Sequence, residues 1–247
     1  MREPVTQLDF SPALDSAAIA RAAEGLSRDG YVRLTGVLHP DTAQALFKNM
    51  NEELAWSRVF NEGQRIWDIP PEKVGELEAS DIFPQLHRGI MGAAQRGFQY
   101  QHDAVRVSDE AAERSERGWL VDQLLEALNS PEWLDVFRQV TADSKVALVD
   151  GQATRYMPGH FLTGHDDNVA GKNRVAAYVL GLTPQWRTEW GGQLLFHDAD
   201  GDVERGLSPK FNVINLFTVP RMHSVAPVSE FAGAPRLSFT GWVRHAG

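Results

Sequence analysis

The 247-residue chain contains no cysteine, which excludes disulfides, thiolate metal sites and cysteine nucleophiles. It has no apolar run near the ~20 residues that a membrane-crossing helix needs. Its first residues, Met1-Arg2-Glu3-Pro4-Val5-Thr6-Gln7, hold no apolar stretch of an export signal. Basic residues are also scarce, with 24 Lys and Arg against 33 Asp and Glu and a formal net charge of −9. Phosphate binding needs concentrated Lys and Arg, so nucleic acid is not an expected partner. No serine stands in a nucleophile-elbow sequence and no glycine-rich phosphate loop is present. These absences leave a cytoplasmic protein with neither a membrane nor a nucleic-acid partner as the expectation.

With 43% hydrophobic residues, the chain can bury one substantial core. Ser11-Pro12 reads as a helix start, Leu14, Ala18, Ala22 and Leu26 recur at helical spacing, and Gly30 stops the run. Tyr31-Val32-Arg33-Leu34 reads as a short strand. A second helix is expected near Asp41, with Leu46, Phe47, Met50 and Leu54 on one face. Residues 61–117 are weakly patterned and read as a lid or binding loop. Helices resume at Trp119 and again at Ser130-Pro131. From Val146 the texture changes to short strands, at 146–157, 174–182, 193–197, 211–219, 224–228 and 236–244, separated by turn residues. Many strands without intervening helices predict a sandwich or jelly roll. The expected organisation is one α+β domain over residues 1–247. Residues 1–145 would be a mainly helical support with the lid, and 146–247 the β-core.

The chemistry-bearing residues lie in that second part. His165-Asp166-Asp167 supplies an imidazole and a carboxylate two positions apart, and His223 follows on a later strand. Two imidazoles and one carboxylate hold iron(II) on one face and leave adjacent positions open. If the backbone at 165–167 is extended, His165 and Asp167 share a face and Asp166 points away. Arg236, in an apolar run beyond His223, suits the far carboxylate of a dicarboxylic cosubstrate. A second His-x-Asp, at His39 and Asp41, reads instead as a helix start with Asp41 as N-cap. His160 reads as an exposed turn histidine. Asp198 to Asp202 reads as a hairpin turn on Asp200-Gly201 rather than a calcium loop.

In order along the chain stand Arg155-Tyr156-Met157-Pro158-Gly159, His165-Asp166-Asp167-Asn168, Arg174 to Leu180, and Trp190-Gly191-Gly192-Gln193-Leu194. Pro209 to Asn212, His223-Ser224-Val225 and Arg236-Leu237-Ser238 complete the set. This ordered set resembles the 2-oxoglutarate- and iron(II)-dependent oxygenases, in their prolyl-hydroxylase-like branch. The resemblance implies a double-stranded β-helix, buttressed here by the N-terminal helices. It implies His165, Asp167 and His223 as iron ligands and catalytic residues, with Arg236 gripping the distal carboxylate of 2-oxoglutarate. Tyr156 would donate to 2-oxoglutarate and Ser238 would assist Arg236. Val179 stands where better-known animal members carry a second cosubstrate-binding tyrosine.

The implied reaction is hydroxylation of an unactivated C–H bond, consuming dioxygen and 2-oxoglutarate, with ascorbate as a reductant. A prolyl or other residue of a protein or peptide is the expected substrate. A free amino acid or small metabolite is the alternative. Two rival readings are a cupin-like metal enzyme and a non-catalytic sensor that does not use 2-oxoglutarate, and Arg236 separates them from an oxygenase.

Overall fold

The computed structural model describes residues 8–246, so the first seven residues, read above for an export signal, lie outside the described part. Helix α1 (Ser16–Asp29) starts later than Ser11-Pro12 suggested, because Asp15 is the N-cap and its carboxylate accepts from the Ala18 N–H at 2.6 Å. Ser11 lies in a bend tied to the Asp9 carboxylate at 2.8 Å. The helix ends, as expected, on Gly30 in the left-handed region (φ 70°). Strand β1 (Tyr31–Thr35) follows, then α2 (Pro40–Lys48) and a π-helical turn. His39, not Asp41, occupies the α2 N-cap position, and Asp41 sits in the first turn, where a carboxylate favours the positive end of the helix.

Residues 61–117 are far more regular than their sequence pattern suggested. The hairpin β2 (Ser57–Glu62) and β3 (Arg65–Ile69) leads to α3 (Pro71–Glu78), α4 (Phe83–Ala94), β4 (Tyr100–Arg106) and α5 (Ala111–Arg117). Helices α6 (Leu120–Leu128) and α7 (Pro131–Thr141) come next, the second capped by the Ser130 hydroxyl, which accepts from Trp133 N–H.

The remaining chain is almost wholly strand: β5 (Val146–Val149), β6 (Gln152–Tyr156), β7 (Phe161–His165), β8 (Arg174–Gly181) and β9 (Leu194–His197). Then come β10 (Val203–Leu207), β11 (Val213–Thr218), β12 (His223–Val225) and β13 (Arg236–His245). One curled, largely antiparallel half-barrel results, in the order β1-β11-β8-β13-β6-β4-β7-β12-β9-β10. Strand β4, from the N-terminal half, bridges β6 and β7.

Strand alternation divides the work. Leu237, Phe239 and Val243 of β13, with Ala176, Tyr178 and Leu180 of β8, meet buried residues of the helices: Leu26, Leu46, Leu124, Leu128, Trp133 and Phe137. Each such large apolar side chain contributes roughly 1.5–3 kcal/mol on burial. The opposite set, including Val179, Arg236, Thr240 and Trp242, lines a cavity on the concave face. The helices thus stiffen the back of the sheet on which the site is mounted.

Candidate active site

The cavity holds about 510 Å³ and draws walls from both halves of the curled sheet. His165 ends β7 and His223 opens β12, and the two are cross-strand partners with ring centroids 4.1 Å apart. His165 Nδ1 lies 3.1 Å from the Thr163 carbonyl and His223 Nδ1 lies 2.8 Å from the Arg221 carbonyl. A carbonyl oxygen only accepts, so each Nδ1 carries a proton and donates it, which turns each Nε2 away from the backbone. Both Nε2 atoms face one carboxylate: His165 Nε2 is 3.5 Å from Asp167 Oδ1 and His223 Nε2 is 3.4 Å from Oδ2. Burial, and then the neighbouring His165, lower the His223 pKa to about 4, so its ring is neutral. Two imidazoles and a carboxylate form a donor set suited to a divalent ion such as iron(II). Among the described residues, these three are the group of His and acidic side chains whose donor atoms converge in this way.

The route by which Asp167 arrives differs from strand alternation. It lies beyond the end of β7 with φ 62°, a left-handed conformation that Asp tolerates better than most residues. Just before it, the Asp166 carboxylate accepts from the Asn168 N–H at 2.9 Å, closing an Asx turn. That turn swings the Asp167 side chain back toward the histidines. Asp166 also borders the cavity, although its carboxylate serves the turn. Arg174 holds the same turn, donating to the Asp167 carbonyl at 2.9 Å while its guanidinium stacks 3.5 Å over the Trp242 ring.

Arg236 reaches the cavity from β13 and is only 4% exposed. Its guanidinium lies 5.0 Å over the ring of Tyr156, its cross-strand partner. No carboxylate pairs with it among the described residues, and its Nε has no hydrogen-bond partner. A buried cation without a counter-charge is costly, and an anionic ligand in the cavity would offset that cost. Gly192, in the Gly191-Gly192 pair, makes room for it: a Cβ there would stand 3.1 Å from Arg236 Cδ and from Trp186. Tyr156 also lines the cavity, and burial raises its hydroxyl to about 12, so it remains a phenol donor. Ser238 lies next along β13 from Arg236 on the same face, and its hydroxyl shares a 2.9 Å hydrogen bond with Thr154.

His160 is not the exposed turn residue its surroundings suggested. It is 2% exposed, its Nδ1 accepts from the Met157 N–H at 3.1 Å, and burial lowers its pKa to about 4. Lying outside the cavity lining, it is a structural pin of the Met157-Pro158-Gly159 turn. The second His-x-Asp is likewise remote, with His39 paired to Asp9 at 3.3 Å. Asp198 accepts from Asp200 and Asp202 N–H in the β9–β10 hairpin turn, as expected. The titratable cavity residue that sequence reasoning passed over is His102 of β4. Its strand lies in the stretch that looked irregular.

Residues 151–244 match the sequence model of the 2OG-Fe(II) oxygenase superfamily. That segment is thus similar to a 2OG-Fe(II) oxygenase domain and takes up less than half of the chain. The matched segment contains His165, Asp167, His223 and Arg236, and also Tyr156 and Ser238. The chain is similar to prolyl 3-hydroxylase OGFOD1 of Xenopus laevis, with 30% identity over 118 residues, covering 45% of this chain and 22% of that protein. The mouse protein of the same name is 25% identical over 176 residues, 67% of this chain and 31% of its own length. The chain therefore spans less than a third of the length of these relatives. A Pseudomonas putida prolyl-4-hydroxylase structure aligns over 93% of this chain and 100% of its own, with 21% identity and a TM-score of 0.57. The fold is thus the double-stranded β-helix of the oxygenases, with helices behind it. Among the described residues, no helix is long and apolar enough to cross a membrane.

Proposed function

We propose that this chain is a 2-oxoglutarate- and iron(II)-dependent dioxygenase that hydroxylates a prolyl or other residue of a protein or peptide. The observation that carries this reading is the buried, unpaired Arg236 guanidinium in the same cavity as His165, Asp167 and His223. A cupin-like enzyme or a sensor without 2-oxoglutarate has no use for a buried cation there. His165, Asp167 and His223 would hold iron(II), and Arg236 would take the distal carboxylate of 2-oxoglutarate in a bidentate pair. When bound, iron and 2-oxoglutarate supply the oxidising power for C–H hydroxylation by dioxygen, with release of succinate and carbon dioxide.

The chain's own residues supply position and dryness. Arg174 anchors the Asp167 turn, and the two backbone carbonyls at Thr163 and Arg221 keep both histidine rings oriented. Tyr156 offers a phenolic donor beside Arg236. Ile66, Phe98, Leu162, Val179 and Trp242 give the cavity a largely apolar wall that excludes water. Ile66 and Phe98 are more than half exposed, which suits a mouth that meets an apolar ring on an extended segment. The prolyl-hydroxylase names of the similar proteins support this choice of substrate. Ascorbate would serve as an accessory reductant that keeps iron ferrous, and residues 61–117 as the cover of the site.

Anaerobic addition of iron(II) and 2-oxoglutarate tests the reading. A weak visible charge-transfer band is expected in the wild type and is expected to disappear in Arg236→Ala. Succinate formation coupled to a proline-containing peptide should vanish in Asp167→Ala. A wild-type protein that gives no band would refute the assignment.

A further inference from the structure

Three adjacent strands place three side chains in one row across the cavity floor. Arg236 of β13 pairs in register with Tyr156 of β6. The β6–β4 register, Asp103 opposite Arg155, continues to place His102 opposite Tyr156. All three line the cavity. The His102 ring stacks on Tyr156 with centroids 5.2 Å apart and planes 16° from parallel. His102 is 8% exposed, and its Nδ1 is sealed from solvent with no hydrogen-bond partner. Nε2 is then the nitrogen left to meet the cavity.

Buried polar groups are almost always hydrogen-bonded, and exceptions call for an explanation. Six buried side-chain polar atoms lack a partner among the described residues, and four of them belong to cavity residues: His102, Arg174, Arg236 and Trp242. The unsatisfied polarity of the molecule is therefore concentrated at this site. An ionised carboxylate offers about four acceptor positions. A bidentate Arg236 would use two and the Tyr156 hydroxyl a third, which leaves one for a further donor in the same row.

We propose that His102 is a third cosubstrate-binding residue, a neutral imidazole whose N–H donates to the distal carboxylate held by Arg236 while its ring braces Tyr156. The inference rests on the oxygenase reading above. Burial, reinforced by nearby His160, lowers the His102 pKa to about 3, so the ring is neutral and carries a single N–H. A neutral donor suits this position, since a second cation beside the buried Arg236 would be repelled.

The test is calorimetric titration of iron(II)-loaded protein, without oxygen, using 2-oxoglutarate and the monocarboxylate 2-oxobutyrate. His102→Phe keeps the stack and removes the donor. It should weaken 2-oxoglutarate by about tenfold, the scale of one hydrogen bond to a charged group. The same variant should bind 2-oxobutyrate like the wild type, and His102→Gln should recover part of the loss. In the zinc-loaded wild type, the His102 imidazole nitrogen resonances should shift with 2-oxoglutarate and not with 2-oxobutyrate, a readout that needs no variant. Unchanged 2-oxoglutarate affinity in His102→Phe, equal loss for both ligands, or an absence of the shift would each overturn the assignment of His102 alone. Failure of the wild type to bind 2-oxoglutarate would overturn the oxygenase reading and this inference with it.

Discussion

At the scale of single residues, the site is a set of side chains whose folded state is costly without a ligand. Arg236 is the sharpest case, because desolvation of its guanidinium is offset by no carboxylate among the described residues. Arg236→Met should therefore raise the unfolding free energy of the ligand-free protein by roughly 1–3 kcal/mol, read by urea titration. The same variant should lose about a hundredfold in 2-oxoglutarate affinity, as expected for a paired guanidinium. A less stable Met variant would count against a strained, waiting cation. The convergence of His165, Asp167 and His223, proposed here to hold iron, and the place of Arg236 in the same cavity were legible in the sequence because such chemistry demands particular residue types in a particular order. Their means of convergence was not. Asp167 looked like a strand residue, yet it faces His165 through a left-handed turn set up by Asp166, and φ is not written in an alternating pattern. His160 misled in the opposite sense: a Pro-Gly turn usually lies outside, but here burial and the Met157 N–H hold its ring in.

At the scale of elements, the strands from Val146 onward other than β7 and β10 were readable from β-branched and apolar runs, and α1, α2, α6 and α7 from their stripes. Strands β2, β3 and β4 were not. β3 is a largely exposed hairpin strand, β2 and β4 are buried by partners distant in sequence, and β4 (Tyr-Gln-His-Asp-Ala-Val-Arg) holds polar residues on both faces because one face lines the cavity and the other sits over an ion-pair cluster. In that cluster, Asp103 accepts from Arg58 at 2.5 Å and from Arg155 at 2.8 Å. A strand buried by polar partners carries no hydrophobic signature. Helix ends offer a cleaner prediction. Ala142 caps α7 in the left-handed region at φ 53°, where a Cβ is strained. Ala142→Gly should stabilise the protein by about 0.5–1 kcal/mol, the strain relieved exceeding the added unfolded-state entropy. A thermal or urea midpoint that falls in this variant would refute the account.

At the scale of the whole molecule, the segment that matches the oxygenase family is not a closed structural unit. Its strands β6 and β7 are joined through β4, which begins at Tyr100, well before residue 151. A fragment of residues 145–247 would expose two unpaired strand edges and lose the helices that cover the sheet's back. It is expected to aggregate or stay unfolded, and a monomeric fragment that melts cooperatively, by circular dichroism and size exclusion, would show otherwise. The bridging strand also has a consequence for the order of events during translation. β4 leaves the ribosome with β2 already made to pair along one edge, while the edge that takes β6 and β7 stays open until the chain has been made at least as far as Phe161. The nascent protein thus carries the keystone of its barrel ahead of the walls. Until then, the polar pattern of β4 gives it little to gain from joining another chain.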